Sequence, residues 1–184
     1  MAKRQKETAP KRGGGGGTQP TFAGFAVRLL AYLFATSLLF SLAGLHLYLV
    51  PVQSAIASVV TAGANLLGGD VRVYGPIIDV TRIKLEVNHE CTAVFVLLVY
   101  AAFVLAYPAP WKSRLLGIVV GAVVLTAVNI SRLIALTLIA QSRPELFNYL
   151  HEYFFQGVFI ALLAVLASLW TEQVRRASLV GVAG

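Results

Sequence analysis

Charge is scarce in this chain. Only 12% of its 184 residues are charged, roughly half the ~25% of an ordinary soluble domain. There are eight acidic residues and a single cysteine, so no intramolecular disulfide framework exists. No glycine-rich loop runs into a lysine, so there is no phosphate cradle. No pair of histidines has the spacing of a metal motif such as His-x-x-x-His. No internal repeat is present. What is abundant is apolar surface: 58% of residues are hydrophobic and mean hydropathy is +0.77. That balance excludes a disordered coil. The apolar residues fall in long runs rather than stripes, which argues against a soluble globule. The net charge of +7 is compatible with nucleic-acid binding, but in so apolar a chain basic residues act as topology determinants in the loops.

Residues 1–21 read as a disordered cytoplasmic tail, with five basic residues, five consecutive glycines and two prolines. Four runs are long enough to cross a bilayer, given that about 20 apolar residues span one and ~17 is the lower limit. They cover Phe22 to Val50, Cys91 to Tyr107, Leu115 to about Ala140, and about Tyr153 to Trp170. The first follows too long a polar tail for a secretory signal and is read as an uncleaved span, with Arg28 snorkelling at its inner end. Pro108 and Pro110 stop the second.

The segment 51–90 differs. Val52, Ile56, Val59, Val60, Leu66 and Leu67 share one helical face, opposite Ser54, Ser58, Thr61 and Asn65. That pattern predicts an amphipathic helix ended by Gly68-Gly69-Asp70. Val71–Tyr74 and Val80–Val87 then alternate in β fashion, with Ile83, Leu85 and Val87 opposite Arg82, Lys84 and Glu86. Gly75-Pro76 and Asp79 supply turn residues. A small β-hairpin is expected, outside the hydrocarbon, where open sheet edges are tolerated. The expected fold class is an all-α polytopic membrane protein with about four transmembrane helices, the amphipathic helix and that extracytoplasmic hairpin before the Cys-bearing helix. One membrane-embedded domain is expected over residues 22–172, followed by a cytoplasmic tail, 173–184.

Four spans put both termini on one side. That side carries nine basic residues in the tails and the 108–114 loop, the other four in the 51–90 segment and the 141–152 loop. The positive-inside rule therefore predicts cytoplasmic termini and an outward-facing hairpin, in the cytoplasmic membrane.

An ionisable residue inside a span is costly and is a functional candidate by default. Arg132 is that residue. It lies about eight residues below the outer end of the third span, roughly 12 Å deep at 1.5 Å per residue. Asn129, three residues earlier, shares its face. Snorkelling to the outer headgroups is the alternative reading of Arg132. Cys91 opens the second span at its outer end, within Asn88-His89-Glu90-Cys91-Thr92. Ser142-Arg143-Pro144-Glu145 has the form of a capping box, and a helix starting there places His151 two turns in, on the face of Phe147 and Phe155.

Cys91, Arg132 and His151 thus come from three spans at one membrane level. A thiol is a weak nucleophile until a cationic neighbour favours its thiolate. An imidazole takes the thiol proton and later protonates a leaving amine. A guanidinium stays charged when desolvated and can stabilise either the thiolate or an oxyanion. Taken singly, Cys91 could be apolar filler and His151 an interfacial side chain. A metal site from His46, His89, His151, Cys91, Glu90 and Glu152 is conceivable but lacks ligand spacing, so no metal and no other cofactor is expected. His89 could replace His151 as base, though an extended strand directs it to solvent. Ser131 has no partner that would make it a nucleophile.

The ordered set Cys91, Asn129-Ile130-Ser131-Arg132 and His151, with this topology, resembles the exosortase/archaeosortase family of membrane cysteine transpeptidases. The match in order and spacing covers about residues 50–170, and the short length, with the hairpin leading into the cysteine, resembles the compact exosortase H type. Many members follow the cysteine closely with glycine, where this chain has Thr92-Ala93. The resemblance implies thiol peptidase chemistry on secreted proteins with a C-terminal sorting tag: a short motif, a transmembrane helix and a basic cluster. Cys91 would form a thioester and release the tag, and an envelope polymer, a lipid or water would resolve it. His151 would be the acid/base, Arg132 the thiolate or oxyanion stabiliser, and Asn129 a supporting residue. No nucleic acid is implied. The competing reading is a non-catalytic polytopic subunit that binds a lipid or partner helix, with Arg132 pairing an anionic headgroup. Four spans leave no room for the inverted repeats of a transporter.

Overall fold

The computed structural model describes residues 22–42, 49–80 and 83–182. The N-terminal tail and His46 lie outside the described residues, as do the side chains of His89 and Glu90. In chain order the elements are α1 (Phe22–Leu42), α2 (Val50–Leu66), β1 (Arg72–Tyr74), β2 (Ile77–Val80), β3 (Ile83–Glu86), a 3₁₀ turn (His89–Thr92), α3 (Val94–Ala106), α4 (Trp111–Ser142), α5 (Pro144–Tyr149), a π turn (Leu150–Phe154) and α6 (Phe155–Val182).

The chain is a largely helical membrane protein. Among the described residues two helices are long and apolar enough to cross a bilayer: α4, with 32 residues, and the run from Pro144 to Leu179. Both are mostly unburied by protein, as expected where lipid covers the outer face. α1, α2 and α3 are shorter apolar helices. α3 has 13 residues, about 20 Å of rise, because Cys91 and Thr92 belong to the preceding 3₁₀ turn. The expected second span is therefore shorter than the run Cys91–Tyr107. Val50, expected at the end of the first span, opens α2. At the C-terminus α6 continues without a break to Val182, through residues expected as a tail.

α2 buries small and polar residues together with Val60, and leaves most of its large apolar side chains outside. Gln53, Ala57, Val60, Thr61 and Ala64 are buried, whereas Val52, Val59, Leu66 and Leu67 are exposed. Beside a bilayer, large apolar side chains have no reason to turn inward. Small ones do, because they let helix backbones approach. Gly63 accordingly sits directly against the Ile134 side chain of α4. Asn65 pins the helix to the sheet: its side-chain amide donates to Val71 O and accepts from Val71 N, both at 3.0 Å.

The sheet has three antiparallel strands in the order β1-β2-β3, one more than the hairpin expected. Gly75-Pro76 makes the first reversal, with Gly75 at φ 60°, a conformation glycine adopts without penalty. Asp79 is not a turn residue: Ile77–Val80 is one strand that pairs on both sides, with β1 and with β3. Ile78 and Val80 face inward and, with Val71, Val87, Cys91 and Leu133, meet Ala57, Val60 and Ala64 of α2 in one core.

A second core joins Tyr100, Val104, Leu125, Trp170 and Val174. It depends on two small positions of α4. Gly121 lies against the Tyr100 ring and Gly117 against the Trp170 indole, so close that no Cβ fits at either. Trp170 Nε1 donates to Ser113 O at 3.1 Å, satisfying the indole inside an apolar contact. α1 packs on α3 through Phe25, edge-on to Phe103 at 5.8 Å.

Candidate functional site

Three connections bring the candidate residues together. Asn88 caps the 3₁₀ turn, its side-chain oxygen accepting from Cys91 N at 3.1 Å. Asn129, buried on α4, donates its amide to Cys91 O at 2.7 Å. The Cys91 backbone is thus held on both sides, and Ala93 at φ 59° turns the chain sharply into α3. Cys91 is 7% exposed.

His151 lies in the π turn rather than in a regular helix. The expected capping box does not form. Ser142 remains the last residue of α4, and its hydroxyl donates to Leu138 O at 2.9 Å, a common back-bond for a helical serine. Arg143 is the break, and α5 begins at Pro144 with no side-chain cap. One turn on, Phe147 stacks on the His151 ring at 5.5 Å and 14°. This orients the imidazole, and His151 Nε2 stands 4.0 Å from Cys91 Sγ.

Arg132 turns into the bundle. Its guanidinium carbon lies 5.4 Å from the Phe159 ring centre and 5.8 Å from that of Phe155, and Nη2 donates to His151 O at 3.4 Å. Its Nε is buried with no hydrogen-bond partner. These contacts place the guanidinium between α4 and α6 under aromatic cover, where cation–π attraction offsets part of the desolvation.

Cys91, Asn129, Arg132 and His151 all line one cavity of about 570 Å³, together with Phe95 and Gln156. Its volume is in the range of small-molecule and peptide sites. Glu152 of the conceivable metal set also borders this cavity, but among the described residues no three potential ligands gather. Ser131 is exposed and its hydroxyl donates to Ala127 O at 2.9 Å, away from the site. Sequence reasoning gave no role to Asn88 or Phe159. The Asn-x-x-Cys spacing was a readable cap signal for the first, but the Phe159 contact depends on how two helices pack and leaves no local trace.

No curated protein and no solved structure matches the chain. The family model described as transmembrane exosortase matches residues 19–173, an interval that contains every residue of the cavity and all of the described chain except 174–182. That match extends over most of the sequence, and so this chain belongs to the transmembrane exosortase family.

Proposed function

We propose that the protein is a membrane cysteine transpeptidase or protease that removes C-terminal sorting tags from secreted proteins through a Cys91 acyl-enzyme and transfers the acyl group to an envelope acceptor. The observation that carries this reading is the facing of Cys91 Sγ and His151 Nε2 at 4.0 Å in a cavity that Arg132 also lines. Such nucleophile–base distances are commonly longer than ~3.2 Å before substrate binds and shorten in the reactive complex.

The steps follow from the groups present. His151 takes the Cys91 proton, and the thiolate attacks the carbonyl carbon of the cleaved bond. The tetrahedral oxyanion gains a charged donor from the Arg132 guanidinium, which borders the cavity. In a water-poor site one such donor is worth about 2.7–4 kcal/mol of barrier. The imidazolium then protonates the departing amine, leaving a thioester. An acceptor hydroxyl, amine or water gives its proton to His151, attacks the thioester, and the C–S bond breaks to restore the thiol. Asn129 positions the nucleophile through its backbone. The charge distribution of the sequence favours four spans, both termini in the cytoplasm and a site opening outward. A substrate anchored by its own membrane helix then reaches the site by lateral diffusion, at raised effective concentration.

The test compares Cys91→Ala and Cys91→Ser with wild type for processing of a tagged exported protein in the host cell. Loss of processing in both, with membrane levels of the enzyme unchanged, is expected. Full processing by Cys91→Ala would show instead a non-catalytic subunit that binds a lipid or partner helix.

A further inference from the structure

A second cavity, of about 200 Å³, touches the same nucleophile from the side of the sheet. It is lined by Leu133, Leu136, Thr137 and Phe147, by Ile78 of β2 and by the continuous stretch from Lys84 to Asn88, and it shares Cys91 and His151 with the larger cavity. Side chains along a strand alternate between faces. A cavity that meets five consecutive residues of β3 and its extension, and Ile78 alone of β2, therefore reaches from the inner face of the sheet to the edge of β3. Among the described residues that edge is unpaired, since β3 is the last strand in the order β1-β2-β3.

The register shows which main-chain groups the edge presents. Val87 N donates to Pro76 O at 2.9 Å, so the 76/87 position is a hydrogen-bonded one. Bonded and non-bonded positions alternate along an antiparallel ladder. Ile78↔Leu85 is then bonded, whereas Ile77↔Glu86 and Asp79↔Lys84 are not. Lys84 and Glu86 thus aim their N–H and C=O groups away from β2. Glu86 O is occupied by Asn88 N at 3.1 Å. The Lys84 N–H and C=O and the Glu86 N–H have no partner among the described residues.

We infer that the substrate binds by strand addition: an extended stretch of the tagged protein next to the cleaved bond pairs with the free edge of β3. This inference rests on the transpeptidase reading and names how that site holds its peptide. The chain continues from this edge through Val87 and Asn88 into the 3₁₀ turn that carries Cys91, so a paired strand ends beside the thiol. Main-chain hydrogen bonds supply sequence-independent affinity and a side-chain pocket supplies selectivity. Here the pocket is the apolar wall of Leu133, Leu136 and Phe147, which suits an apolar side chain beside the cleaved bond. The remaining substrate extends past Cys91 into the 570 Å³ cavity.

Lys84→Pro tests the edge directly. Proline removes the N–H that the register directs away from β2 and no ladder bond to β2, the position at which an edge strand accepts it. Processing of the tagged protein in the host membrane should fall at least fivefold below that of Lys84→Ala, about the effect of one lost hydrogen bond. Val73→Pro, on the opposite edge, should process within about twofold of wild type. Equal processing by Lys84→Pro and Lys84→Ala overturns strand addition while leaving the Cys91 test intact. Should Lys84→Pro fail to accumulate in the membrane, a photocrosslinker decides. Benzoylphenylalanine at position 84 in a Cys91→Ala background should capture the tagged protein, and at position 73 it should not. Capture at neither position, or equally at both, overturns the inference; loss of capture has no bearing on whether Cys91 is the nucleophile.

Discussion

The Asn129 side-chain amide donates to the main-chain oxygen of Cys91 at 2.7 Å, across a separation of 38 residues. It ties the middle of the longest helix to the turn that carries the thiol. Both residues are buried, so the bond has no competition from water and its loss leaves a carbonyl stranded. Asn129→Ala should lower stability by about 1–3 kcal/mol, the usual cost of a buried group left unsatisfied. Thermal unfolding of the detergent-solubilised protein measures this. An unchanged midpoint would mean that water or another donor replaces the amide.

Ala93 holds a positive φ of 59° at the junction of the 3₁₀ turn and α3. An L-residue with a Cβ pays roughly 1–2 kcal/mol in this region, and glycine avoids it. Ala93→Gly should therefore raise stability by about 1 kcal/mol or less, after the greater flexibility of glycine in the unfolded chain is counted. Ala93→Val should lower it, because a β-branched residue is worse still at positive φ. The same unfolding assay applies, and destabilisation by Ala93→Gly would contradict the strain argument. This geometry also explains why glycine suits the segment after the cysteine.

The guanidinium of Arg132 and the thiol of Cys91 border one cavity. If the positive charge favours the thiolate, Arg132→Ala should slow alkylation of Cys91 by N-ethylmaleimide near neutral pH, roughly three- to tenfold. The sign follows from electrostatics: a nearby cation stabilises the anionic form, so removing it leaves less thiolate at a given pH. Cys91 is the sole cysteine, which makes the labelling unambiguous. Unaltered labelling together with lost processing would assign Arg132 to the oxyanion alone.

Gly121 has the Tyr100 ring where a Cβ would stand. Gly121→Ala forces α3 and α4 apart or tips the ring, at a cost of about 1–3 kcal/mol. The pair should couple. Tyr100→Ala reopens the space, so the double variant should lose less than the sum of the two single losses. Additive losses in a double-mutant cycle would refute direct contact.

How much could be read in advance varies with the physics. Arg132 was conspicuous because a charge in an apolar run has few tolerable surroundings. The alternation from Ile83 to Val87 was visible because a half-buried strand sorts its side chains by polarity. The buried face of α2 was not legible for the converse reason: with lipid outside, polarity no longer marks the inside, and size does. The third strand was missed because Asp79 looks like a turn residue, while its place in the ladder is set by pairing on both sides.

The chain's local chemistry by itself determined that apolar helices dominate, that a polar sheet-forming segment interrupts them, and which few residues could be reactive. Each of those depends on side-chain type and short-range spacing. Tertiary structure alone decided that His151 Nε2 stands 4.0 Å from Cys91 Sγ, that Phe155 and Phe159 cover the guanidinium, and that the edge of β3 lies beside the thiol. Those relations arise from the rotation and depth of packed helices, which are set by the interlocking of many side chains at once and carry no signature at any one of them.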